Sequence, residues 1–150
     1  EELRALSEAD LVVICPGSLF GSVLVNFAPQ GMVEAFLESK VPKILVTNIM
    51  SLPNETWECT QDEYVGVFVD CLRVPQPFDL VVMADLGALE PDQLAPVLES
   101  YQWEHSVPVR YREASRHPTV LADLALVEPR YGRLRHCENK LARFFGSLEL

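Results

Sequence analysis

Ala9-Asp10-Leu11-Val12-Val13-Ile14-Cys15-Pro16-Gly17-Ser18-Leu19-Phe20-Gly21-Ser22 is the stretch from which the fold is read. Leu11–Cys15 is apolar at every position. A strand that does not alternate is buried on both faces, as strands of a parallel sheet are. Pro16-Gly17-Ser18 turns the chain, and Ser22 is a suitable N-cap for a short helix through about Phe27. A strand, a tight turn and a helix in succession begin a β-α-β layer arrangement.

Working outward, the same alternation recurs. Gly31–Lys40 has a helical period with Met32, Ala35 and Phe36 on one face, and Pro42 ends it. Lys43–Thr47 reads as a second strand, followed by a long polar loop over 48–59. Thr60 with Glu63 three residues on forms a capping box, opening a helix that buries Tyr64, Val67, Phe68, Cys71 and Leu72. Asp79–Met83 is a third strand. Pro91 suits the first turn of a helix facing inward with Leu94, Val97 and Leu98. Val107–Tyr111 reads as a fourth strand, and Leu121–Val127 and Arg133–Arg135 as weaker ones. Glu138–Leu148 reads as a helix that buries Leu141, Phe144, Phe145 and Leu148. The pattern predicts an α/β fold around a mainly parallel sheet.

The 150 residues suffice for one domain with a core, and 49% hydrophobic content excludes a disordered chain. The net charge of −10 disfavours nucleic acid and anionic membrane as partners. The longest apolar run falls far short of the ~20 residues a membrane span needs. No secretory leader is recognisable, so a cytoplasmic location is expected. Opening on Glu1 without a Met, the sequence reads as a piece of a longer chain. Eight of the twelve Lys and Arg residues lie within 110–150, a basic zone able to meet a small anionic ligand or to pair with surface carboxylates. Cys15, Cys59, Cys71 and Cys137 form no CxxC pair, so reduced packing thiols are expected, without zinc.

Ligands of open α/β sheets bind beyond the carboxyl ends of the strands. After the first strand, Gly17 permits close backbone approach, while Ser18 and Ser22 offer hydroxyls to a phosphate. An ordinary turn would use the same residues. After the second, Asn48 could orient a ligand, and Glu55 and Thr56 could accept from a hydroxyl or hold a metal; capping and solvation are equally open. After the third, Asp85 binds or closes a turn. Arg133 and Arg135 alternate onto one face, which suits a diphosphate or a surface ion pair. His136 titrates near neutrality.

The opening stretch, continued by Asn26-Phe27-Ala28-Pro29-Gln30-Gly31-Met32-Val33-Glu34-Ala35, resembles the family that contains 2-phospho-L-lactate transferase and the bacterial gluconeogenesis factor (CofD/YvcK-like). Two further blocks carry the resemblance in order: Asn48-Ile49-Met50-Ser51-Leu52-Pro53-Asn54-Glu55-Thr56 and Arg135-His136-Cys137-Glu138-Asn139-Lys140-Leu141-Ala142. Leu19-Phe20 after Pro-Gly-Ser, the Asn-Ile-Met block and the Arg-His pair are closer to the gluconeogenesis-factor branch. The chain departs from the family pattern at Gly21, Leu52, Asn54 and Cys137. The resemblance implies a Rossmann-like three-layer fold, residues 1–150 being the C-terminal portion, with a glycine-rich N-terminal unit missing from the sheet.

Three functions follow as expectations. The first is a UDP-sugar-binding regulator of carbon metabolism and cell shape. Gly17, Ser18 and Ser22 would then cradle phosphate, and Asn26 and Asn48 would orient the ligand. The second is a phospholactyl transferase acting on a nucleotide diphosphate donor with Mg²⁺. The third is a shortened homologue without ligand, compatible with a homodimer.

Overall fold

The computed structural model describes residues 2–148. The chain runs α1 (Glu2–Glu8), β1 (Val12–Ile14), α2 (Met32–Glu38), β2 (Lys43–Val46), α3 (Gln61–Leu72), β3 (Leu80–Ala84), α4 (Pro91–Gln102), β4 (Thr119–Ala122), β5 (Ala125–Glu128), β6 (Arg133–His136) and α5 (Glu138–Gly146). β1 to β4 form one sheet in sequence order, all neighbours parallel. The registers Val13 to Ile44, Leu45 to Val81 and Val82 to Val120 run across it.

Alternation along the strands feeds two cores. Leu45, Val81 and Met83 face the aromatic side chains of Phe36, Tyr64, Phe68 and Phe78 under α2 and α3. Ile44, Val46 and Val82 face the other way, with Leu141, Phe144 and Phe145 of α5 against them. The sheet therefore lies between two helical layers, the α/β arrangement read from its continuous apolar strands. Phe68 meets Phe78 edge-on at 5.0 Å and is fully buried. Such pairs add about 0.5–1.5 kcal/mol to the area they bury.

Five expectations need correction. Val107–Tyr111 is not a sheet strand. It makes isolated bridges, Met50 with Pro108 and Thr60 with Arg110, and straps the 48–60 loop. Pro108 has no N–H to donate to a ladder. The fourth strand is β4. The run Leu121–Val127 is divided: β4 stops at Ala122, and buried Leu124 anchors the turn into β5, which pairs antiparallel with β6. In α3 the buried positions include Gln61 and Val65, whereas Cys71 is exposed and Val67 half-buried. Of the four free cysteines only Cys59 is buried, and burial pushes its thiol up to about 11. Along α5 the apolar side chains are half-buried.

The turn after β1 also begins earlier than expected. Ser18, not Ser22, is the N-cap, its Oγ accepting the Gly21 N–H at 3.0 Å. A wide turn spans Leu19–Val23, with the Val23 N–H reaching back to the Ser18 carbonyl at 3.1 Å. A tight 3₁₀ turn carries it to Phe27.

The capping box of α3 is formed as read. Glu63 Oε2 accepts the Thr60 N–H at 2.8 Å, and Thr60 Oγ1 accepts the Glu63 N–H at 3.3 Å. The first of these holds the Glu63 carboxyl below its usual range. Thr60→Ala is expected to lower stability by about 1 kcal/mol in urea denaturation, without changing the slope of the transition.

Candidate functional site

The site grows from the two turns that leave β1 and β2. Both strands end at the same edge of a parallel sheet, so their following turns lie side by side. Asn48 joins them. Its Oδ1 accepts the Gly17 N–H at 2.9 Å and its Nδ2 donates to the Gly17 carbonyl at 2.8 Å. One side chain thereby satisfies both backbone groups of a residue that no strand neighbour reaches. A larger residue at Gly17 would force the Ser22 hydroxyl to move. An added Cβ would lie 2.6 Å from Ser22 Oγ.

Glu55 makes the second tie. Its Oε1 accepts the Ser18 hydroxyl at 2.6 Å and its Oε2 accepts the Leu19 N–H at 2.9 Å. The hydroxyl and the first free N–H of the turn thus hold an anion that the chain itself supplies. Thr56 is buried, and its Oγ1 accepts the Leu52 N–H at 3.0 Å, closing the loop that carries Glu55. The strap over that loop is bonded at Ser51, whose carbonyl accepts the Ser106 hydroxyl at 2.5 Å and whose N–H donates to Val107 at 2.7 Å.

Between these turns and the β6 end lies a cleft of about 390 Å³. Gly17, Ser18 and Asn48 line one wall; Arg135, His136 and Tyr101 line another. Tyr101 and Glu104, at the end of α4, had no signal in the sequence. Spacing does not reveal that α4 ends beside β6. Arg133 stacks over the Tyr101 ring at 4.8 Å and pairs with Glu104 through Nη2, while its Nη1 is buried without a partner among the described residues. Arg135 is exposed. His136 is half-buried, and its Nε2 is buried without a hydrogen-bond partner among the described residues. Desolvation lowers its pKa, favouring neutral imidazole.

The remaining candidates lie apart from this cleft. Ser22 and Asn26 are exposed and line a different, apolar groove of about 590 Å³ along the outer edge of β1. The Ser22 hydroxyl donates to the Ser18 carbonyl, and the Asn26 amide donates to the carbonyls of Ser22 and Val23. Asp85 closes a turn, its Oδ1 accepting the Gly87 N–H at 2.9 Å. Among the described residues, no group of three or more His, Cys, Asp or Glu side chains is placed to hold a metal ion. No described helix is long and apolar enough to cross a membrane.

Residues 1–124 match the family described as 2-phospho-L-lactate transferase CofD. A Thermotoga maritima protein carrying the gluconeogenesis-factor name is 33% identical over 95% of this chain and 45% of its own length. A gluconeogenesis factor of Halalkalibacterium halodurans is 35% identical over 55% of this chain and 26% of its own. A crystal structure of a Bacillus halodurans protein superposes with a TM-score of 0.83 at 28% identity, over 97% of this chain and 46% of that one. The chain spans less than half the length of these relatives.

Two outcomes follow from the geometry. Glu55→Ala leaves the Ser18 hydroxyl and the Leu19 N–H without their charged acceptor, and should cost about 1.5–3 kcal/mol in chemical denaturation. For His136, the folded pKa lies below the unfolded one, so the unfolded chain binds more protons at mildly acid pH. Its contribution is complete above the ordinary imidazole value of 6.5 and declines as pH falls below it. Denaturation at a series of pH values should show a flatter acid limb in His136→Gln.

Proposed function

The chain belongs to the 2-phospho-L-lactate transferase CofD family, and from that premise and the cleft we propose that it binds the diphosphate of a nucleotide sugar as a regulatory protein of gluconeogenesis-factor type. The observation that carries the reading is the convergence of Arg135 and His136 on the Gly17-Ser18 turn, at the carboxyl ends of parallel strands. Arg135 supplies a planar fork of donors for phosphate oxygens. His136 adds a ring nitrogen whose hydrogen bond no described residue takes. Tyr101 lines the same wall, one face of its ring covered by Arg133.

Glu55 refines how the turn would act. A phosphate at Ser18 Oγ and the Leu19 N–H would have to displace its carboxylate. In this reading Glu55 stays and holds the turn in shape, while the diphosphate lies on the cleft side, between Gly17 and Arg135. Asn48 orients the turn rather than the ligand, because both ends of its amide are engaged by Gly17. In the longer relatives, further chain would pack along the free edge of β1 and close the cleft from that side. On this view residues 1–150 are the C-terminal portion of a larger binding unit.

Mg²⁺, which a transferase would require, needs only one or two protein carboxylates when substrate phosphates share it. Neither carboxylate offered for it lines the cleft: Glu55 takes the Ser18 hydroxyl and the Leu19 N–H, and Asp85 closes its own turn. Glu104, which does line it, pairs with Arg133, and our reading rests on binding.

Calorimetric titration with UDP-N-acetylglucosamine should give saturable binding. Arg135→Ala should weaken it roughly tenfold or more, the loss of a charge-assisted hydrogen bond. Equal affinity in Arg135→Ala and the parent chain would remove the cleft from the site.

A further inference from the structure

A second cavity, of about 400 Å³, lies along the flank of α3 and shares no lining residue with the cleft. Asp62, in the first turn of α3, holds the 115–117 segment by one oxygen. Its Oδ1 accepts the Ser115 hydroxyl at 2.6 Å and the Arg116 N–H at 3.3 Å. Its other oxygen, Oδ2, is buried without a partner among the described residues. His117 is 8% exposed, and its Nδ1 is likewise buried without a partner. The His117 N–H donates to the Ser115 hydroxyl at 3.0 Å and its carbonyl accepts the Thr119 hydroxyl at 2.9 Å, which fixes the residue where it stands. Asp62 and His117 both line the cavity, and each keeps one buried atom unpartnered where a buried polar group is ordinarily hydrogen-bonded, which points to a ligand that draws these side chains toward it.

The wall of the cavity supports this. Gly66 sits mid-way along α3, where glycine weakens a helix relative to alanine. A Cβ built there would meet no atom within 4 Å, so packing inside the chain does not require glycine. The residue instead leaves the cavity open beside Asp62.

Charge narrows the class of ligand. A carboxylate oxygen accepts hydrogen bonds, and so does Nδ1 of an imidazole protonated at Nε2. Two acceptors, with Asp70 also on the lining, call for a donor of positive charge. Arg116 on the same lining suits a carboxylate. The described residues offer no third ligand for a metal ion. We propose that this cavity binds a free α-amino acid. Its ammonium group donates to Asp62 Oδ2 and His117 Nδ1, and its carboxylate meets Arg116. Nothing in the nucleotide-sugar reading requires this site, so each stands without the other.

The test is isothermal titration of the whole chain with the common L-amino acids, one at a time. Methylamine and acetate serve as probes for the ammonium and carboxylate alone. Saturable binding of at least one amino acid, roughly tenfold or more tighter than methylamine or acetate, is expected. Asp62→Asn, which retains an oxygen for Ser115, should weaken that binding roughly tenfold or more. Gly66→Leu should abolish it by filling the cavity, while Gly66→Ala should raise the thermal midpoint of the unliganded chain. Arg135→Ala should leave it unchanged. Absence of heat with every amino acid would overturn the proposal and mark the cavity as holding water only. Equal binding of methylamine, or full affinity in Asp62→Asn, would overturn it as well.

Discussion

The amide of Asn48, bonded both ways to the backbone of Gly17, is the contact on which the rest of the site depends. Parallel strands bring their carboxyl ends to one side, but the turns that follow have no ladder to hold them. An amide has the donor and the acceptor that a peptide unit has, so Asn48 stands in for the missing strand neighbour. Glu55 then locks the next residues by taking the Ser18 hydroxyl and the Leu19 N–H. With both ties made, four hydrogen bonds hold the Pro16–Leu19 turn in place.

The sheet below explains why such a turn can be built at all. Ile44, Val46 and Val82 feed one core while Leu45, Val81 and Met83 feed the other, so the strands are gripped from both faces. A one-residue slip would exchange the two sets and expose neither layer to its partner. The registers of β1 to β3, and with them the positions of Gly17 and Asn48, are therefore set by packing far from the site. The 48–60 loop is held differently, by the strap at Ser106–Arg110, which pairs with it at isolated points.

Much of the fold was legible along the chain. Leu11–Cys15, Ile44–Val46 and Leu80–Met83 are apolar runs too short for helices, and Thr60 with Glu63 announces a helix start through local hydrogen bonds. Misreadings came where local pattern and tertiary contact disagree. Val107–Tyr111 has strand-like residues, yet the strap position leaves it only isolated bridges. Ser22 has the chemistry of an N-cap, but Ser18 takes that place because Gly21 follows it with an N–H at the right distance.

Sequence alone determined the α/β class, the burial of β2 and β3 on both faces, the capping box of α3 and a set of polar residues at strand ends. These follow from interactions between residues close in the chain and from the average environment of each. β1, read as buried throughout, lies at the sheet edge, where Val13 and Ile14 are half-buried and Cys15 is exposed. Tertiary structure alone decided which of those polar residues share a cleft. Gly17, Ser18, Asn48, Arg135 and His136 come together, while Ser22 and Asn26 turn to the other side of the same short helix and Asp85 closes its own turn. It also decided that Glu55 would be bonded to Ser18, 37 residues away. Such pairings depend on strand order and on where α4 and β6 end in space, and neither quantity is written in the spacing of residues along one segment.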